Sequence, residues 1–183
     1  MKKKKKKLAK STRWHRKAHR FIAIPFLVFI VLMSITGILL TWKAELGLKP
    51  QSQKASVLKT PLVSLNTIES NAKHYIDNLG LDTTINRIDY RPRKGIAKVR
   101  FETHFTELQI DCYTGKVISK STRTADVIEM IHDGSILDYF FNAKQEPTKL
   151  AYSTLVGLSL LFLSFTGFWL WLKPKQMKRH KSN

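Results

Sequence analysis

Two long apolar stretches frame a polar middle. Residues 150–172 read LAYSTLVGLSLLFLSFTGFWLWL, 23 positions with no charge between Lys149 and Lys173. As a helix rising 1.5 Å per residue this run extends about 34 Å, enough to cross a bilayer core of about 30 Å. Residues 21–42 form the other run, with Pro25 about one turn inside it, where a membrane helix tolerates a kink. Each run carries a version of one decapeptide, Ser34-Ile-Thr-Gly-Ile-Leu-Leu-Thr-Trp-Lys43 and Ser164-Phe-Thr-Gly-Phe-Trp-Leu-Trp-Leu-Lys173. Ser, Thr, Gly, Leu and Lys recur at the same offsets.

The middle alternates on shorter periods. Leu65, Ile68, Ala72, Tyr75, Ile76 and Leu79 fall at helical spacing, which predicts a helix over residues 66–79 closed by Gly80. Strand-like alternation follows over 85–90, 96–103 and 106–113, and a further extended piece starts at Val117. Arg91-Pro92-Arg93-Lys94-Gly95 and Tyr113-Thr114-Gly115-Lys116 supply the turns between them. A second apolar set, Val127, Ile128, Met130 and Ile131 with Ile136, Leu137, Tyr139, Phe140 and Phe141, predicts a helix lying at the membrane interface. The fold class expected is membrane α-helical, with two transmembrane helices and an inserted small α+β domain. The boundaries read as a basic interfacial segment 1–20, a first crossing 21–42, a linker 43–60, the α+β domain 61–120, an interfacial helical segment 121–149, a second crossing 150–172 and a basic tail 173–183.

Charge changes the picture by where it sits. The chain of 183 residues carries a formal +19, a value that fits a nucleic-acid binder if the cations stripe one folded surface. Instead residues 1–20 hold eleven Lys and Arg, residues 173–183 hold five, and neither end holds an acid. All thirteen acids lie in 43–149, beside the other sixteen cations. Positive flanks on both helices place both termini in the cytoplasm and residues 43–149 outside, with the Lys2–Lys7 run drawn to anionic lipid rather than to nucleic acid. Lys2–Lys10 reads as a solvated run, Ser11-Thr12 as the cap of a helix beginning near Arg13, Gly47-Leu48-Lys49-Pro50 as the end of the first helix, and Lys173-Pro174-Lys175 as the stop of the second. Leu40-Thr41-Trp42-Lys43 lacks a small-x-small cleavage pattern, so the first run reads as an uncleaved anchor. Cys112 is the sole cysteine, which excludes an intrachain disulfide, and nothing beside it in sequence activates a thiol.

Several stretches together resemble the PepSY-associated transmembrane family of bacterial inner-membrane proteins. They are Trp14-His15-Arg16-Lys17-Ala18-His19-Arg20, Thr36-Gly37, Asp111-Cys112-Tyr113-Thr114-Gly115-Lys116-Val117, Ile131-His132-Asp133-Gly134-Ser135 and Ser164-Phe165-Thr166-Gly167-Phe168-Trp169-Leu170-Trp171-Leu172-Lys173-Pro174. The resemblance implies a bacterial inner-membrane location and a periplasmic PepSY-like domain over 61–120. Larger relatives with about four crossings are linked to iron uptake, some as haem-containing ferric-siderophore reductases with histidine ligands near helix ends. The positions that match those ligands are His19 and His132. This chain has two crossings, half of the larger form.

The candidate cofactor ligands are therefore His19, His132 and His15, holding haem b. His15 and His19 share one helix face and cannot clamp opposite sides of one haem, so a bis-histidine site needs another helix. A two-fold dimer, or a complex with another inner-membrane protein, supplies it. A bland alternative remains for each: His15 and His19 as interfacial residues of a basic anchor, His132 hydrogen-bonded to Asp133 or to the inserted domain. Ser34, Thr36, Gly37, Ser164, Thr166 and Gly167, with the small-xxx-small pair Ser153 and Gly157, read as helix-packing residues that allow close approach and cross-helix hydrogen bonding. His74, His104 and His180 read as surface residues.

No nucleophile–base pair, paired catalytic carboxylates, phosphate loop or dinucleotide fingerprint is visible, so a hydrolase has no residues to carry it. Two functions remain. One is a component of haem-dependent transmembrane electron transfer in iron acquisition; the other is a non-enzymatic anchored PepSY module that binds or regulates a peptidase or transporter.

Overall fold

The structure, a computed structural model, describes residues 2–55, 61–141, 143 and 145–179, with side chains from Ala9 to Lys173. In chain order the helices are α1 (Lys2–Thr41), α2 (Leu65–Asp77), α3 (Thr124–Asp133), α4 (Ser135–Phe140) and α5 (Pro147–Arg179). The strands β1 (Ile85–Arg91), β2 (Ile96–Phe101), β3 (Thr106–Asp111) and β4 (Val117–Thr122) lie between α2 and α3. Residues 9–41 and 147–173 are helices long and apolar enough to cross a membrane.

Each long helix overruns one of its expected ends, α1 at its start and α5 at its finish. The lysine run is helical from Lys2 rather than solvated coil, and Ser11 and Thr12 sit inside α1 instead of capping a start near Arg13. Lysine is a good helix former, and adding residues to an existing helix avoids the nucleation cost that a separate short helix meets. At its other end α1 stops at Thr41, before the expected Gly47-Leu48-Lys49-Pro50, and the chain winds through turns to Gly47. α5 continues through Pro174 to Arg179. A proline removes one backbone donor without ending a helix whose neighbouring turns persist.

Residues 38–129 contain one compact unit. Its sheet is an antiparallel meander in the order β1-β2-β3-β4. Ala97, Val99 and Phe101 of β2 and Leu108 and Ile110 of β3 share the face that packs on Ile68, Ala72 and Ile76 of α2, with Cys112 in the same core. Period-two alternation on the strands and 3.6-residue alternation on the helix produce this face. Ser64 caps α2 by accepting from the Thr67 N–H at 3.1 Å. The C-cap is Asn78 rather than Gly80, and Leu65, Tyr75 and Leu79, expected on the packed side, are exposed.

The sheet's other face is polar and largely buried. Lys98 pairs with Glu107 at 2.8 Å and Arg100 reaches the other Glu107 oxygen at 3.3 Å. The Gln109 amide accepts from the Gln53 N–H and donates to the Gln51 carbonyl, each at 2.8 Å. The polar stretch after α1 is therefore pinned across the sheet at these residues. Burial of Cys112 pushes its thiol up to about 11, far from a reactive thiolate.

Candidate functional site: two histidine–threonine pairs

Residues 1–37 and 130–183 make up the other unit, and in it the two decapeptides do the same thing twice. The Thr36 hydroxyl, on α1, lies 2.8 Å from His132 Nδ1. The Thr166 hydroxyl, on α5, lies 2.7 Å from His19 Nδ1. Thr36 and Thr166 are both buried, at 5% and 4% exposure. The glycine after each threonine leaves room for the ring: a Cβ on Gly37 would stand 3.4 Å from His132 Cε1, and one on Gly167 would stand 3.7 Å from His19 Cε1.

The proton on each threonine is already committed. Thr36 donates to the Leu32 carbonyl at 2.7 Å and Thr166 to the Phe162 carbonyl at 2.8 Å, the back-bonding usual for threonine within a helix. A hydroxyl has one proton to give, so toward the imidazole each threonine accepts. Nδ1 of His19 and of His132 is then the protonated nitrogen, and the lone pair sits on Nε2. No hydrogen bond to either Nε2 occurs among the described residues. An imidazole whose Nδ1–H is held by a fixed acceptor and whose Nε2 is bare has the form of an oriented metal ligand.

The pairs are built from different local structure. His19 lies inside continuous α1. His132 lies in the last turn of α3, which stops at Gly134 with φ +83. A side chain at Gly134 would meet Tyr152 at 2.7 Å, so only glycine permits both the turn and this approach. Asp133 accepts from the Ser135 N–H at 3.0 Å and hydroxyl at 2.7 Å to start α4. The Asp133 backbone carbonyl accepts from Ser153 at 3.1 Å, and its carboxylate pairs with Lys149 at 3.4 Å. Asp138 caps α5 from a distance by accepting the N–H groups of Thr148 and Lys149 at 2.9 and 2.8 Å. Burial opposes its charge, but these backbone donors, with Lys149 nearby, hold the carboxyl below its usual range.

The other candidates fall into place around these pairs. His15 stacks on Trp169 with ring centres 4.9 Å apart, and its Nδ1 donates to the Ser11 carbonyl at 2.8 Å. Its ring face is thus occupied, while His19 on the same helix side meets Thr166. The bland partners expected for His132, Asp133 or the inserted domain, are replaced by Thr36. Ser34 and Ser164 are exposed and bond carbonyls of their own helices, and a Cβ on Gly157 would meet nothing within 4 Å among the described residues. Ser153 fastens α5 to Asp133 instead. His74 is exposed; His104 stacks on Phe101 and reaches the Asp82 carbonyl. His180 lies outside the described residues. No cluster of three or more His, Cys, Asp or Glu suited to a metal ion occurs among the described residues.

His19 and Thr36 stand 17 residues apart on α1, so the pairs are separated by about 25 Å along it. Sequence reading marked the histidines and the threonines but not their partnership, because the partners are 147 and 96 residues apart in the chain. The repeated Thr-Gly was the available signal. A search of curated proteins finds no match. The model of a family described as the PepSY-associated TM region matches residues 6–183, including both decapeptides, both histidines and the inserted unit.

Proposed function

The chain belongs to the PepSY-associated transmembrane family, and on that premise we propose that it is a haem-holding component of transmembrane electron transfer serving iron acquisition. The observation that supports this reading most is the duplicated pair: two imidazoles about 25 Å apart along α1, each with Nδ1–H held by a buried threonine and Nε2 bare. The residues fit axial ligation. Haem b, when held, supplies one-electron iron chemistry. Thr36 and Thr166 fix ring orientation and tautomer, and Gly37 and Gly167 lie beside the rings.

Each pair offers one imidazole where a six-coordinate haem takes two. A second copy of the chain completes both sites, its two helices joining these as a four-helix bundle. In this reading the basic helix ends face the bacterial cytoplasm, and the inserted domain faces the periplasm. The test is expression with ample haem, purification in mild detergent and comparison of oxidised and dithionite-reduced spectra. A sharp Soret band, with split α and β bands on reduction, is expected from a particle of two chains. His19→Ala and His132→Ala should each remove about half the absorbance, because each empties one site. A featureless visible region overturns the reading.

One observation favours the alternative of an anchored module for a partner protein. Leu62, Leu65, Tyr75, Leu79 and Leu81 are exposed on and around α2. Apolar side chains grouped in this way suit a docking surface. A featureless spectrum together with a crosslinked partner that survives His132→Ala supports this second reading.

A further inference from the structure

Away from the face that bears His15 and His19, α1 presents a different surface. Trp14, Lys17, Ala18, Arg20, Phe21 and Ile24 share one exposed face of α1. Trp14, Phe21 and Ile24 are 63%, 77% and 71% exposed. Lys17 and Arg20 are exposed and take part in no ion pair among the described residues. They stand at the level where the polar turns of α1 give way to its apolar run. An unpaired cation beside an apolar wall at this level is complementary to a ligand with an anionic head and hydrocarbon tails.

We propose that this face of α1 is a binding site for one anionic phospholipid. Lys17 and Arg20 hold the headgroup phosphate and its net charge, with Arg supplying a fork of donors and Lys a mobile point charge. Trp14 lies at the level of the glycerol region, where indoles are favoured. An acyl chain follows Phe21 and Ile24 along the helix. The site differs from the general attraction of the lysine run because it sets two particular cations beside particular exposed apolar side chains on the same helix face. It does not depend on haem.

The test is native mass spectrometry of the full chain, released from detergent mixed with equal phosphatidylglycerol and phosphatidylcholine. The wild type should retain one phosphatidylglycerol in preference to phosphatidylcholine. Lys17→Gln/Arg20→Gln should weaken that retention about thirtyfold, since each basic residue near the surface contributes a factor of about five. Lys43→Gln/Lys49→Gln removes the same charge near the other end of α1 and should change retention less than about threefold. Lys17→Arg/Arg20→Lys keeps the charges and should keep the lipid, which separates loss of the site from loss of the fold. Equal losses in both glutamine variants, or no headgroup preference in the wild type, overturns the proposal.

Discussion

The His19–Thr166 and His132–Thr36 pairs have the same bonds and different supports. His19 is carried by a continuous helix and meets a second long helix, so its position follows from how α1 and α5 pack. His132 is carried on the final turn of a short helix, stopped by a left-handed glycine and tied to α5 through Asp133, Ser153 and Lys149. One ring orientation is thus reached by two routes. The shared part is a back-bonded threonine that accepts from the imidazole and is followed by glycine; the rest is what each location had available. Local damage should disturb the His132 pair far more than the His19 pair.

Gly134→Ala is the largest such blow. A Cβ there would face a φ of +83 and three Tyr152 atoms within 2.8 Å, one of them the Tyr152 Cβ. Left-handed strain and overpacking together should cost about 3 kcal/mol, seen as a lower unfolding midpoint in detergent. With haem present, loss should concentrate at the His132 site, leaving the absorbance that His132→Ala also leaves. Equal damage at both sites would mean that the supports are not separate.

The threonines test what the pairs share. Thr36→Val and Thr166→Val each remove the acceptor and leave an imidazole N–H unpaired in an apolar setting, a cost of about 1–3 kcal/mol. If Nε2 serves as a ligand, ligand retention should fall about tenfold or more, as for other groups that orient metal-bound histidines. Serine at either position keeps the hydroxyl and should restore most of both quantities. A serine variant no better than valine would show that methyl packing, not the hydrogen bond, holds the ring.

The Asp138 cap separates the two supports by pH. Its carboxyl is held below the usual range, so its stabilising effect is complete above the unfolded value of about 3.9 and is lost as pH falls through the lower folded value. The stability difference between wild type and Asp138→Asn should be flat above about pH 5 and shrink in more acid solution. The same difference measured in a Thr166→Val background should be unchanged, since Thr166 lies about five turns along α5 from the cap.

Much of this was legible before any coordinates. Hydrophobic runs of bilayer length announced α1 and α5, and alternation announced the sheet and α2, because both signals are local. Propensity and caps misplaced the helix ends: Lys2–Lys10 looked solvated, yet a lysine run joined to a long helix costs little to extend. The polar face of the sheet was visible as Lys98 and Arg100 alternating with apolar residues. That it is buried under Gln51 and Gln53 was not, since such contacts join distant segments. The decapeptide repeat was visible, and its threonines do bond across helices as expected, but their imidazole partners were not legible. Thr and Gly in an apolar helix usually mark close helix packing, and only the fold brings an imidazole to each.

The glycines offer the finest test of whether the pairs are equivalent. A Cβ at Gly167 would meet the His19 ring at 3.7 Å, ordinary contact, whereas at Gly37 it would meet the His132 ring at 3.4 Å, the near limit of comfort. Alanine also favours helix over glycine by up to about 1 kcal/mol. Gly167→Ala should therefore be neutral or slightly stabilising, with the His19 pair intact. In Gly37→Ala that gain is offset by a small displacement of the His132 ring, so unfolding should shift by less than about 1 kcal/mol in either direction. Ligand affinity should be the more sensitive readout, because a ring moved by a few tenths of an ångström still packs but aims Nε2 elsewhere. If Gly167→Ala disturbs its site as much as Gly37→Ala does, then the space beside each ring, and not the direct contact, is what the glycines provide, and the two pairs are equivalent despite their supports.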